Sequence, residues 1–134
     1  MEELCAGKKV VLFAVPGAFT PTCSVQHLPG FVTNVGSLKD KGADVVACIS
    51  VNDPFVMAAW GKDRNVGEDV LMLSDGNAEF TSAIGLEMDG SGFGLGTRSQ
   101  RYAMIIDDGV VSTLNVENGP ALEVSSAEAI LEVL

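Results

Sequence analysis

Three cysteines, one histidine and eight basic residues carry most of the chemistry open to this 134-residue chain. Of the thiols Cys5, Cys23 and Cys48, the second has the most telling surroundings. It follows Pro16-Gly17-Ala18-Phe19-Thr20-Pro21-Thr22, a stretch that ends one apolar run and opens a helical pattern. A cysteine in a first helical turn meets unpaired backbone N–H groups and the positive end of the helix dipole, and both favour an anion. The thiolate is the reactive form of cysteine. Thr20, three residues earlier, can place a hydroxyl beside the sulfur, while Pro16 and Pro21 stiffen the loop and shield it from water. Taken alone, such a cysteine reads more readily as a small buried hydrophobe, since free cysteine is usually buried and inert. His27 lies one helical turn beyond Cys23. That pair opens a second chemistry, acyl transfer by a thiol hydrolase, but no third residue to orient the imidazole is evident. No CxxC occurs, and three cysteines with one histidine make a poor tetrahedral zinc site.

The elements that must position these residues can be read along the chain. Val10 to Val15 is a continuous apolar run, as in a strand buried on both faces. The helical pattern after Cys23 runs through Val25, Leu28, Phe31, Val32, Val35 and Leu38, with a kink expected at Pro29-Gly30. Ala43 to Val51 is a second buried strand. Asp53 caps a helix with Pro54 at its first position, running to about Gly61. Val70 to Leu73 is a third strand and Asn77 to Ile84 a short helix. Gly85 to Gln100 reads as a glycine-rich loop carrying Arg98. It lacks the spacing of a phosphate-binding loop. Tyr102 to Ile106 and Val110 to Val116 flank Asp107-Asp108-Gly109, a hairpin signal. Ser125-Ser126-Ala127-Glu128 reads as a capping box before a last helix. This order predicts an α/β protein with a central sheet between helices, parallel first and antiparallel at one edge. A thioredoxin-like fold over residues 1–134 as one domain fits it.

Composition narrows the function classes. Apolar residues are 47 % of the chain, enough for a core without a metal or disulfide staple. Eight basic against eighteen acidic residues give a net charge of −10, which disfavours nucleic acid and anionic membranes as partners. No apolar run approaches a membrane span. MEELCAGKK lacks the cationic start and long apolar stretch of a secretory signal, so a soluble intracellular protein is expected, cytoplasmic or, after removal of a targeting segment, in a plastid or mitochondrion.

The string VPGAFTPTCS closely resembles the active-site motif of peroxiredoxins, specifically their type II, peroxiredoxin-5-like branch. The resemblance continues through HLPGF (27–31), VVACISVND (45–53), the Phe55–Trp60–Gly61 pattern and RYAMIIDDG (101–109). It implies a thiol peroxidase that reduces hydrogen peroxide and alkyl hydroperoxides through a Cys23 sulfenic acid, without cofactor or metal. Pro16, Thr20 and Arg101 would complete the site, with Arg101 supplying a fixed cation and a rigid fork of donors. His27 then becomes a structural hydrogen-bonding residue at the site's edge. Cys48, by itself a core-strand cysteine, is implied as the resolving partner in a disulfide. The resemblance is closest to the plant and bacterial enzymes recycled by glutaredoxin with glutathione, or by thioredoxin, and it implies a non-covalent homodimer. Arg98 reads as an exposed loop charge and Cys5 as a packing residue. Type II members usually carry an additional N-terminal hairpin, which is missing before Val10. A redox sensor or chaperone-like binding protein using the same thiol is the alternative. An enzyme consumes many equivalents of peroxide, whereas a sensor oxidises once.

Overall fold

The computed structural model describes residues 2–119 and 121–134. Its centre is a five-stranded sheet in the order β3-β2-β1-β6-β7. Strands β1 (Lys9–Ala14), β2 (Val45–Ser50) and β3 (Leu71–Ser74) are parallel. Strand β6 (Tyr102–Asp107) runs antiparallel to β1, and β7 (Val110–Val116) antiparallel to β6. This is the mixed, thioredoxin-like α/β architecture that the alternation of patterns predicts.

Strand β1 is buried on both faces because layers cover both. Val11 and Phe13 face the larger core with Leu28, Phe31, Leu38, Trp60 and Ile130. Those residues come from α2 (Leu28–Asp40), α3 (Pro54–Asp63) and α5 (Ala127–Val133). Val10, Leu12 and Ala14 face the other side, with Cys5, Ile49, Tyr102 and Met104. Cys5 sits at the end of α1 (Glu2–Cys5), a one-turn helix that the apolar pattern did not announce. Its thiol is buried, as packing requires.

Several expected boundaries move, each for a local reason. The anticipated kink at Pro29-Gly30 is replaced by a π-helical turn, Cys23–His27, directly before α2. The Leu28 N–H bonds back to the Cys23 carbonyl, a five-residue span. Pro29 therefore falls in the first turn of α2, where its missing donor costs nothing. Helix α3 runs two residues past Gly61. The short helix α4 is trimmed to Glu79–Ala83, because the Asp75 carboxylate accepts from the Phe80 and Thr81 amides and sets its start. The glycine-rich segment is not a plain loop: β4 (Glu87–Asp89) and β5 (Thr97–Ser99) form an antiparallel ladder around a 3-10 turn at Ser91–Phe93. Strands of three residues are too short to show a period, and Gly94 and Gly96, both at positive φ, mask them further. Helix α5 is capped by Ser126, whose hydroxyl accepts from the Ala129 amide, one residue later than the expected box.

Other signals hold. The β6–β7 hairpin turns at Asp108 and Gly109 with φ of 49° and 81°, the left-handed pair that a tight two-residue hairpin needs. Asp53 caps α3 by accepting from the Val56 amide at 2.7 Å, with Pro54 in the first turn. Asp53→Ala should lower stability by about 1 kcal/mol, read as a shift in the urea midpoint at constant slope. An unchanged midpoint would contradict the cap.

Candidate active site

The segment 15–22 leaves the C-terminal end of β1, where α/β sheets place their sites. Three contacts from β2 and its following loop fix it. The Val15 amide donates to the Ile49 carbonyl, the Ala18 amide to Asn52 Oδ1, and the Ser50 hydroxyl lies 3.0 Å from the Val15 carbonyl and 2.7 Å from Asn52 Oδ1. Phe19 is held at φ 64°, a left-handed conformation uncommon for an aromatic residue. The turn brings Thr20 back over Gly17, whose carbonyl accepts from the Thr20 hydroxyl at 2.6 Å. The Thr20 proton thus goes to Gly17 and not to the sulfur. Its oxygen keeps lone pairs that can accept from a substrate.

Cys23 opens the π turn and is 1 % exposed. That turn directs Cys23, Ser24 and His27 inward and leaves Val25 and Gln26 outside. The Ser24 hydroxyl accepts from Trp60 Nε1 at 2.9 Å, which ties the start of this helix to α3. Arg101, just before β6, is 5 % exposed. Its Nη2 donates to Cys23 Sγ at 3.2 Å and its Nη1 lies 2.9 Å from His27 Nδ1. The other imidazole nitrogen, Nε2, is 2.8 Å from the Ser125 carbonyl. A carbonyl only accepts, so Nε2 carries the proton and Nδ1 offers its lone pair to the guanidinium. Burial and then the Arg101 charge push the His27 pKa down to about 3, against the opposing Ser125 hydrogen bond and Glu117 charge. His27 is neutral and both its nitrogens are occupied, so it cannot serve as a thiol hydrolase's base. Arg101 Nε is buried and has no hydrogen-bond partner among the described residues.

Beside this group opens a cleft of about 690 Å³, lined in part by Pro16, Thr20, Thr22, Met88, Phe93 and Arg101. Pro16 is half-buried in its wall. The β4–β5 hairpin forms the opposite side. Arg98 is half-buried there, not an exposed loop charge: its Nε donates to the Leu95 carbonyl, and its Nη1 stands 3.3 Å from where a Cβ on Gly17 would lie. Gly17 thus permits close approach of that guanidinium to the loop.

Cys48 lies in the middle of β2, fully buried, in the same core cluster as Cys23. Both are free thiols. Burial pushes the Cys48 thiol well up, and the neighbouring Cys23 adds to this while Arg101 opposes it. The structure therefore brings together Cys23 and Arg101, sets Thr20 and Pro16 at the cleft, and holds Cys48 as a protonated thiol within the core. Sequence reasoning missed Ser24, Ser125 and Glu117. Among the described residues no cluster of three His, Cys, Asp or Glu side chains could hold a metal, and no helix is long and apolar enough to cross a membrane.

Comparison with known proteins agrees with this geometry. The redoxin family model matches residues 1–131. Peroxiredoxin-2E, chloroplastic, of Arabidopsis thaliana is 58 % identical over all of this chain, which spans 58 % of that relative's length. Peroxiredoxin-2B of the same plant is 52 % identical over all of this chain and 83 % of its own. The structure of reduced Prx3 from Vibrio vulnificus in complex with H2O2 superposes with a TM-score of 0.96 at 65 % identity, covering 99 % of this chain and 86 % of that one. Its oxidized form superposes at 0.91, also at 65 % identity, covering 99 % and 83 %. The chain belongs to the redoxin family and, within it, to the type II peroxiredoxins.

Proposed function

We propose that this chain is a thiol-dependent peroxidase in which Cys23 attacks the peroxide. The observation that carries the reading is the Arg101 fork: one arm donates to Sγ at 3.2 Å, and beside it the buried Nε–H has no partner among the described residues. The first contact sets a fixed cation and N–H donor directly against the attacking sulfur. The second leaves a donor that a peroxide oxygen would satisfy. The thiolate attacks one peroxide oxygen, the O–O bond breaks, and Cys23 becomes a sulfenic acid while the second oxygen departs as alkoxide or hydroxide. Charge grows on that leaving oxygen, where fixed donors stabilise it most. Taking up a proton completes the alcohol or water. Thr20, with its own proton committed to Gly17, can accept from the peroxide O–H. The apolar wall at Met88 and Phe93 suits an alkyl hydroperoxide as well as hydrogen peroxide.

Resolution through Cys48 requires movement. The Cys48 thiol would attack the Cys23 sulfenic acid, form the S–S bond and release water, but both cysteines are buried in the packed core. The π turn at Cys23 is the segment that would unwind. The better superposition on reduced than on oxidized Prx3 supports a rearrangement on oxidation. Glutathione with glutaredoxin, or thioredoxin, would return the electrons. Phe19, Val25 and Phe93 are exposed around the site and support a non-covalent dimer through these loops. The chloroplastic relatives support a plastid location.

Cys23→Ser should abolish peroxide consumption with either reductant, measured by loss of peroxide. Full activity would sink the reading. After one equivalent of peroxide, intact mass should show wild type short of two hydrogens at monomer mass, and Cys48→Ser with one added oxygen or a glutathione adduct. A persistent oxygen on wild type would exclude Cys48 as resolver.

His27 gives a pH prediction. Its native pKa of about 3 lies below the value of 6.5 for a free histidine, so between these limits the unfolded chain binds a proton that the folded chain refuses. Stability is complete above this window and falls as pH drops through it, by about 1.4 kcal/mol per pH unit. His27 is the chain's single histidine. From pH 7.5 to 5, wild type should lose about 2 kcal/mol in urea unfolding, and His27→Gln should lose far less. Parallel curves would refute the assignment.

A further inference from the structure

The hydrogen bonds that hold Arg101 close on themselves. The Glu117 amide, just after β7, donates to the Arg101 carbonyl at 2.9 Å. Glu117 Oε2 gathers four donors: the amides of Glu123, Val124 and Ser125 at 2.9, 2.9 and 2.8 Å, and the Ser125 hydroxyl at 2.6 Å. The Ser125 carbonyl then takes the His27 Nε2–H, and His27 Nδ1 accepts from Arg101 Nη1. The circuit thus begins at the Arg101 backbone and returns to the Arg101 guanidinium, whose other arm reaches the Cys23 sulfur.

We propose that Glu117 is a positioning residue for the reactive centre: its carboxylate folds segment 123–125 into a clamp that fixes the His27 tautomer and thereby aims the Arg101 fork at Cys23. This rests on the reading of Cys23 as the nucleophile that Arg101 supports. Glu117 is 6 % exposed and Ser125 is fully buried. Among the described residues the one ion pair is Arg64–Asp63, so the Glu117 charge is met by the clamp and not by a cation. Burial alone would raise its pKa, but the Ser125, Glu123 and Val124 hydrogen bonds outweigh burial and hold it below the usual range. Four donors on one oxygen call for a carboxylate, since an amide oxygen accepts more weakly. Without the clamp the Ser125 carbonyl is free to turn away. The imidazole can then carry its proton on Nδ1, where it would repel the guanidinium. Misplacing a reacting group by about 1 Å can cost on the order of 10²-fold in rate.

The test uses Glu117→Gln and Glu117→Ala in the full chain, with three readouts: 15N chemical shifts of the one histidine, the rate at which iodoacetamide alkylates Cys23 at pH 7 in a Cys5→Ser/Cys48→Ser background, and the single-turnover rate with hydrogen peroxide. The wild type should show one tautomer, protonated at Nε2. Glu117→Gln should mix the tautomers and slow both reactions about threefold, and Glu117→Ala about tenfold or more, as expected from a misaimed group. If Glu117→Ala does not fold, Glu117→Gln decides alone. A folded Glu117→Gln with slowed reactions and an unchanged histidine spectrum would overturn the proposal, as would unchanged alkylation. The spectrum and alkylation do not depend on peroxide turnover, so failure of wild type to reduce peroxide would refute the peroxidase reading separately.

Discussion

A guanidinium does not shed its proton inside a protein, so burying one obliges its surroundings to supply acceptors. Arg101 is 5 % exposed in a chain whose net charge is −10, yet no carboxylate pairs with it among the described residues. It is met instead by a neutral imidazole and a sulfur. Those acceptors are weaker than a carboxylate would be, and in the proposed mechanism this leaves the cation able to act on the thiol and on an incoming peroxide. An aspartate or glutamate in direct contact would neutralise that influence. The one acidic residue in the circuit, Glu117, instead acts at a distance, with its carboxylate three hydrogen-bonded links from the guanidinium, through Ser125 and His27.

The rest of the fold can be read as support for that placement. Strand β6 is antiparallel to β1, so Arg101 at its start lies beside the C-terminal end of β1, from which the Cys23 loop departs. Ser50 and Asn52 fix the loop from the next strand, Trp60 fixes Ser24 from α3, and the β4–β5 hairpin closes the cleft with Arg98 over Gly17. The same burial keeps Cys48 from reacting where it stands. In the proposed cycle, a site held rigid for peroxide attack and a later opening toward Cys48 are compatible because Cys23 itself begins the π turn. Such turns are rare and frequently occur at functional sites.

What the sequence revealed was what short stretches encode. Cys23, Thr20 and Pro16 lie within one string, Asp53-Pro54 is a local cap, and Asp108-Gly109 is a local turn, so each was legible. Arg101 became legible only through the resemblance, because an isolated arginine before a strand has no distinguishing pattern. Glu117, Ser125 and Ser24 were illegible for a related reason. Each acts through a partner 8 to 98 positions away, and such types on a polar chain read as solvated surface. The β4–β5 ladder and helix α1 were missed because three or four residues establish no period. The π turn was missed because a proline two positions into α2 looks, in sequence, like a kink.

The most direct test of the account is the second-order rate of Cys23 oxidation by hydrogen peroxide, followed by stopped flow in wild type and in Arg101→Lys. Lysine keeps the charge but loses the planar fork that reaches sulfur and imidazole together. The account predicts a fall of about 10²-fold or more with the protein still folded. A rate within about threefold of wild type, well short of that loss, would show that charge alone suffices, and would contradict the central role given to the geometry of Arg101.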